Sequence, residues 1–266
     1  MGFFDGQVAW VTGAGRGIGR AAALALADQG AAVAIVSRTQ SEVDQVAHEI
    51  TARGGKSIAT MLDVSNWDMV EWAAKQIELA LGPIDILINN AGVLDPLGKL
   101  WVTDPEQWGR LIDINLSGAY YCMRAVLPGM IQRGRGVIVN ISSGAAASAQ
   151  PGWSAYAASK AGLDHLTRSL AVDLTGTPIR TYALHPGIVD TRMQEVLRGA
   201  TDDQLPPERR QFFVDEKTSG KAYSPDVPAR AIVWLASPRC DLDNGAVIDL
   251  RTPPGMIEKI DRALKA

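Results

Sequence analysis

The stretch Gln7-Val8-Ala9-Trp10-Val11-Thr12-Gly13-Ala14-Gly15-Arg16-Gly17-Ile18-Gly19 passes from an apolar run through a glycine-rich turn into an alanine-rich segment. A near-continuous apolar run of this kind suits a strand covered on both faces by helices. From Gly17 to Gln29 the pattern predicts a helix, stopped at Gly30. Strand, glycine turn and helix in that order form a cradle for a dinucleotide pyrophosphate. Gly13 takes the sharp turn, while Gly17 and Gly19 remove side chains where backbone approaches phosphate and where helix packs on strand. The helix N-terminus adds free N–H groups and the positive end of its dipole. A P-loop is excluded, because no Gly-Lys-Ser/Thr follows.

The same alternation continues outward. Strands are predicted over Gln7–Thr12, Ala32–Ser37, Ser57–Leu62, Ile84–Asn89, Gly136–Ser142, Ile179–His185 and Ala246–Leu250. Helices are predicted over Ser41–Arg53, Trp67–Leu81, Ser154–Thr175 and Pro225–Ala236, with one long helix or two over Pro105–Arg133 and Gly118 as the joint. Regular β-α alternation implies an α/β fold: a doubly wound parallel sheet. No Pro, Gly or Ser-rich linker divides the chain, so residues 1–252 are expected to form one dinucleotide-binding catalytic domain. Thr191–Ser224 breaks the rhythm and follows a strand's carboxyl end, so it is expected to be a lid. Residues 253–266 form an amphipathic tail (Ile257, Ile260, Leu264) that docks on the body or on another subunit.

Composition narrows the function. The chain has 266 residues, 47% hydrophobic and 21% charged, with a net charge of −3. Nothing there favours nucleic acid or an anionic membrane surface. Cys122 and Cys240 build neither a disulfide framework nor a metal knuckle, and His48, His165 and His185 form no metal-binding spacing, so no metal is expected. No signal peptide or stretch of about 18 apolar residues is present, so a cytoplasmic location is expected.

The second strand ends at Ser37-Arg38, where a fold that prefers NAD carries an acid for the ribose 2′-hydroxyl. Here the acid is replaced by Ser37. Arg38 follows, and Arg16 lies in the glycine turn. Two guanidiniums suit a 2′-phosphate, so NADP(H) is the expected cofactor.

Tyr156 and Lys160 are four apart in a helical pattern and share a face. A lysine ammonium beside a phenol stabilises the phenolate, and Tyr156 then serves as proton donor or acceptor at a carbonyl or alcohol oxygen. Ser143 ends the fifth strand, placed to hydrogen-bond that oxygen. Asn115 is expected to hold a relay water behind Lys160.

These residues resemble one family, the short-chain dehydrogenase/reductases, over about Gly6 to Leu250. Thr12-Gly13-x-x-x-Gly17-x-Gly19 with Ile18 matches its cofactor turn, Asp63-Val64 its adenine-side pair, and Asn89-Asn90-Ala91-Gly92 its motif after the fourth strand. Asn115, Ser143, Tyr156 and Lys160 match its tetrad, with thirteen residues from Ser143 to Tyr156, and Pro186-Gly187 with Val189 and Thr191 matches its nicotinamide segment. The resemblance implies a single-domain Rossmann fold with seven parallel strands in order 3-2-1-4-5-6-7. It also implies homotetramers or dimers, and it is strongest to the 3-oxoacyl-(acyl carrier protein) reductase and sepiapterin-reductase-like branches. His185 stands where Asn is common, read here as tolerance at a strand end, and Asp249-Leu250-Arg251 replaces Asp-Gly-Gly.

Val93, Leu94, Ala145, Gln150, Trp153, Ile188, Met193 and Val196 are expected to wall the substrate pocket, which favours a hydrophobic ketone or alcohol; no Arg or Lys is committed to a substrate carboxylate. The reading is an NADP(H)-dependent reductase of a ketone or 3-oxoacyl carbonyl. Its rivals are an NAD-dependent alcohol dehydrogenase, opposed by Ser37, and a non-catalytic NADP-binding sensor or scaffold, opposed by the complete tetrad.

Overall fold

The computed structural model describes residues 2–265; Met1 and Ala266, at the outer ends of the expected domain and tail, lie outside it. Seven parallel strands form one sheet: β1 (Val8–Thr12), β2 (Ala32–Ser37), β3 (Ser57–Met61), β4 (Ile84–Asn89), β5 (Val137–Ile141), β6 (Arg180–His185) and β7 (Val247–Asp249). Their order is β3-β2-β1-β4-β5-β6-β7, as the resemblance implied. Several strands are a residue shorter at one or both ends than expected, because terminal residues leave the ladder for turns.

The apolar runs are explained by what lies on each face. Ala9 and Val11 of β1 enter a core with α1 (Gly17–Asp28), α2 (Gln40–Ala52) and α9 (Asp226–Ala236). Val8 and Trp10 enter a second core with α3 (Trp67–Leu81) and α5 (Gly118–Arg133), to which Leu163 of α6 (Ser154–Asp173) also belongs. Trp10 and Trp234, each 1% exposed or less, sit in opposite cores. Parallel registers align the carboxyl ends Thr12, Ser37, Asn89, Ile141 and His185 along one edge. The sheet interior has no room for solvated chemistry, so this edge is where polar groups gather.

Three segments differ from expectation or settle what it left open. Pro105–Arg133 is α4 (Pro105–Ile112), a π-helical turn (Asp113–Ser117) and α5. Gly118 closes the turn by donating its N–H to the Asp113 carbonyl. A Cβ on Gly118 would stand 2.7 Å from Val64 Cγ2, so a glycine is needed where α5 passes the loop after β3. Between Thr191 and Ser224 the chain is partly helical, with α7 (Arg192–Arg198) and α8 (Pro207–Thr218); Pro207 occupies the first turn of α8, which its fixed φ favours. The tail forms α10 (Met256–Lys265) and docks on the body: Ile260 is 2% exposed, Arg230 pairs with Asp261 at 2.8 Å, and Lys259 Nζ lies 5.4 Å from the Trp234 ring.

A polar thread crosses the second core. Asn89 Nδ2 donates to Asn140 Oδ1 at 2.9 Å, and Asn140 Nδ2 donates to Thr167 Oγ1 at 2.9 Å, tying β4 and β5 to α6. Asn140→Ala should therefore cost about 1–3 kcal/mol, since it takes a partner from the buried Asn89 donor and from the buried Thr167 acceptor. Thermal unfolding would register this as a fall of roughly 2–4 °C per kcal/mol. A variant melting with the wild type would show that the thread adds nothing.

Candidate active site

A cleft of about 930 Å³ opens over the carboxyl edge of the sheet. One arm is the glycine turn. Gly13 (φ +63°) and Gly17 (φ +54°) occupy the left-handed region. A Cβ on Gly13 would stand 2.9 Å from Asn90 Nδ2, and one on Gly17 3.3 Å from Thr191 Cγ2, across the cleft. Asn90 Nδ2 donates to the Thr12 and Gly13 carbonyls at 2.9 and 3.1 Å, and the Asn90 and Ala91 amides donate to Thr12 Oγ1, both at 3.0 Å. The turn is thus locked to the end of β4. The N-cap of α1, Arg16, makes no side-chain bond to the helix amides. Uncapped amides beside a turn with glycine at 13, 15 and 17 fit a pyrophosphate.

At the end of β2 the Thr39 amide donates to Ser37 Oγ at 3.2 Å. Arg38 borders the cleft and makes no ion pair among the described residues, whereas Arg16 pairs with Glu42 of α2 at 3.0 Å. A Cβ on Gly15 would stand 2.8 Å from Glu42 Oε2 and 3.1 Å from Ser37 Oγ, so Glu42 reaches the place the sequence left without an acid. Asp63 accepts from the Ser65 amide and hydroxyl at 3.0 and 2.7 Å. Burial works against its charge, but the Ser65 bonds with the Arg38 and Arg110 guanidiniums outweigh it and lower its pKa.

The other arm carries the candidate chemistry. Tyr156 and Lys160, on one face of α6, are 7% and 4% exposed. Ser143 borders the cleft together with the Tyr156 phenol, and Lys160 Nζ lies 5.7 Å from the Tyr156 ring centre. Lys160 Nζ also donates to the Ile141 carbonyl at 2.8 Å. The expected lowering of the phenol's pKa by Lys160 is not what this arrangement produces. Burial raises it, and the neighbouring Ser143 hydroxyl only partly offsets that. Burial likewise brings Lys160 down to about 8, with the Asp164 charge opposing the shift.

Asn115 turns its side chain to the loop after β4. It is 1% exposed, in the π turn; its Oδ1 accepts from the Val93 amide and its Nδ2 donates to the Val93 carbonyl, both at 2.8 Å, and to Ser159 at 3.2 Å. With its amide committed, the side chain fixes the strand of loop after Gly92. His185 is no tolerated substitution: its Nε2 lies 2.9 Å from Asp164 Oδ2 in a buried pair, and its Nδ1 lies 4.0 Å from Asp249 Oδ2.

Of the residues expected to bind cofactor, Gly13, Arg16, Gly17, Ile18, Ser37, Arg38, Asp63, Val64, Asn90, Ala91, Gly92, Pro186, Gly187, Val189 and Thr191 border this cleft, together with Ser143, Tyr156 and Lys160. Gly19 and Asn115 stand behind it. A Cβ on Gly19 would meet Asn90 Nδ2 and the Gly13 carbonyl at 2.4 Å, so Gly19 serves packing of the turn. All eight expected pocket walls border the cleft as well. Sequence reasoning missed Glu42, Thr12 as a clamp, Asp164, and two guanidiniums at the substrate end, Arg209 and Arg251. The charged run Glu208-Arg209-Arg210 within the expected lid is the sequence signal for Arg209, and it does not say which arginine faces inward.

The sequence pattern of the short chain dehydrogenase family matches residues 7–202. A short chain dehydrogenase of Pseudocercospora fijiensis is 36% identical over 258 residues, covering 94% of this chain and 81% of its own length. The 3-oxoacyl-(acyl-carrier-protein) reductase of Thermotoga maritima is 33% identical, covering 92% of this chain and 96% of its own. The crystal structure of the KRED1-Pglu enzyme matches with a TM-score of 0.84 at 28% identity, over 91% of this chain and 100% of that one. Most of the sequence and the whole sheet order thus agree with one family: this chain belongs to the short chain dehydrogenases, oxidoreductases that act on CH–OH groups with a nicotinamide cofactor.

Proposed function

We propose that the protein reversibly reduces a ketone or 3-oxoacyl carbonyl to a secondary alcohol, using NADP(H), with Tyr156 as acid–base. The observation that carries this reading is the meeting of Ser143, Tyr156 and Lys160 inside the cleft, with Lys160 Nζ 5.7 Å from the Tyr156 ring centre. Gly13, Gly17 and the α1 amides would hold the pyrophosphate, Asp63 and Val64 the adenine side, and Pro186, Gly187, Val189 and Thr191 the nicotinamide. When bound, the reduced nicotinamide supplies the hydride.

The chain's own residues handle the proton. A phenol with a raised pKa stays protonated across the neutral range, which is the form that donates. Tyr156 gives its proton to the carbonyl oxygen, and Ser143 holds that oxygen through its hydroxyl. The Lys160 ammonium offsets the phenolate charge left behind. Asn115 acts as a positioning residue through Val93. The segment from Thr191 to Ser224 acts as a lid over the substrate end, residues of α7 and α8 forming its inner surface.

Tyr156→Phe should lower kcat by at least about 10²–10⁴-fold, the usual contribution of a positioned acid, while retaining cofactor affinity by titration. Unimpaired turnover would remove Tyr156 from the chemistry. Lys160 must carry its proton, and its pKa is lowered to about 8, so the reduction rate is full below that value and falls as pH rises through it. Lys160→Arg should carry the fall to higher pH. A profile flat from about pH 7 to pH 10 would mean that this charge is not used.

Cofactor choice rests on the β2 end. Ser37 in place of an acid and an Arg38 with no ion pair among the described residues favour the 2′-phosphate. Glu42, bonded to Arg16, favours the rival NAD reading. Arg38→Asp should raise the NADH-to-NADPH ratio of kcat/KM, and Glu42→Gln, which releases Arg16, should lower it, each by about tenfold, the scale of one charge-assisted bond. Ratios that do not move would leave cofactor choice to other groups.

We also propose a homotetramer or dimer. Tyr120 and Ile131 of α5 and Val172 of α6 are 48%, 52% and 72% exposed, apolar area that a second copy would cover. Light scattering on the eluting protein should return a multiple of 28.4 kDa; a monomer at micromolar concentration would overturn this.

A further inference from the structure

We propose that the substrate bears a carboxylate-class anion, separated from its carbonyl by an apolar spacer, and that Arg209 of α8 receives the anion. The inference rests on the reductase reading and names the substrate class of the same site.

Arg209 borders the cleft in the first turn of α8. Its guanidinium lies 4.8 Å from the Phe212 ring centre and 5.4 Å from that of Phe213. Stacking engages the face of a guanidinium and leaves its edge, the fork that matches a carboxylate, open. That edge has no acceptor among the described residues, and Arg209 Nε is buried without a hydrogen-bond partner. A buried unsatisfied donor is costly, and native structures leave few. Its neighbour Arg210 shows the contrast: it is held by Asp202 at 2.7 Å and by the Ala200 carbonyl at 2.9 Å. A cation in the first turn of a helix also opposes the helix dipole, and a bound anion relieves that conflict.

The other charges at this end do not compete. Asp190 is engaged by Arg198 and Lys217 at 3.3 and 3.2 Å. Asp95 and Glu195 border the cleft but are exposed, where solvent screens them, and neither bonds Arg209. Arg251, against Gly144 and Gly187, has Asp249 3.5 Å from its Nε. Arg192, at the start of α7, also borders the cleft and makes no ion pair among the described residues, but it is exposed, where solvent screens it; Arg209 is therefore the half-buried uncompensated charge at the substrate end.

Its position dictates the spacer. Phe213 lies parallel to Trp153, 5.9 Å between centres, and Trp153 meets Tyr156 edge-on at 5.6 Å. Two aromatic rings thus stand between the guanidinium and the candidate acid. A ligand that touches both runs along that wall with an aryl, alicyclic or alkyl body. Simple 2-oxo acids are too short.

The probes are para-acetylbenzoate and para-acetylphenylacetate against their methyl esters, with pyruvate as the short anion. In the wild type, kcat/KM for each acid should exceed that of its ester by about 10–100-fold, the worth of a charge-assisted bond. The preference should appear in KM, and pyruvate should be the poorest substrate. Arg209→Gln should bring the acid-to-ester ratio towards one; Arg209→Lys, which keeps the charge without the fork, should retain part of it. Calorimetric titration of para-acetylbenzoate and its ester into the NADP⁺-loaded protein gives the same comparison without turnover. Tyr156→Phe should abolish turnover and keep the anion-selective binding, so failure of the reductase reading is separable from failure of this one. Equal binding of acid and ester by the wild type, or a ratio that Arg209→Gln leaves intact, overturns the proposal.

Discussion

Burial of the sheet on both faces is the constraint from which the rest follows. Val8 and Trp10 feed one core and Ala9 and Val11 the other, so β1 has no side left for a polar group. Chemistry is pushed to the one edge where the strands end together. The parallel register then aligns Thr12, Ser37, Asn89, Ile141 and His185 there, and each passes directly into a candidate binding or catalytic segment. The Thr12 hydroxyl makes the join rigid: it takes two amides from the segment after β4, while Asn90 returns its side chain to the glycine turn. A turn otherwise free to sample many conformations is held by its neighbour strand rather than by a ligand.

The same burial that stabilises the fold sets the proton chemistry. Removing Lys160 from water weakens its hold on its proton, and removing Tyr156 strengthens the phenol's. The cost is accepted in a site because the shifted groups are the useful ones. Asp164, one turn beyond Lys160, works against the lysine's shift, and His185 in turn bonds Asp164. The residue that replaces Asn before Pro186 thus belongs to a buried charge network behind the candidate catalytic face, not to a tolerant strand end.

Most of the architecture was legible because period and order are carried by local sequence. Unbroken apolar runs separated by helical patterns specify a parallel sheet, and glycines at 13, 17 and 19 specify a turn that only a few contexts use. What was not legible depends on long-range contact. The π turn at Asp113–Ser117 exists because α5 passes Val64 closely and because Asn115 reaches Val93, two contacts far apart in sequence. Glu42 reaches Gly15 and Ser37 from α2, an approach that the end of β2 does not announce. The direction of the Tyr156 shift turns on how deeply the ring is buried, which a Tyr-x-x-x-Lys spacing leaves open.

The substrate end shows how an apolar wall and a charge coexist. Arg209, Phe213, Trp153 and Tyr156 form a continuous series from α8 to α6, Phe213 stacked on Trp153 and Trp153 edge-on to Tyr156, so the segment after β6 is held to the candidate catalytic helix by aromatic contacts. Stacked rings orient a guanidinium while leaving its hydrogen-bonding edge unspent, which a salt bridge to a protein carboxylate would not do. Arg210 made the opposite choice and is tied to the segment before α8 through Asp202 and Ala200. Adjacent arginines thus divide the work: one fastens α8 to the chain, and the other keeps its charge for what enters the cleft.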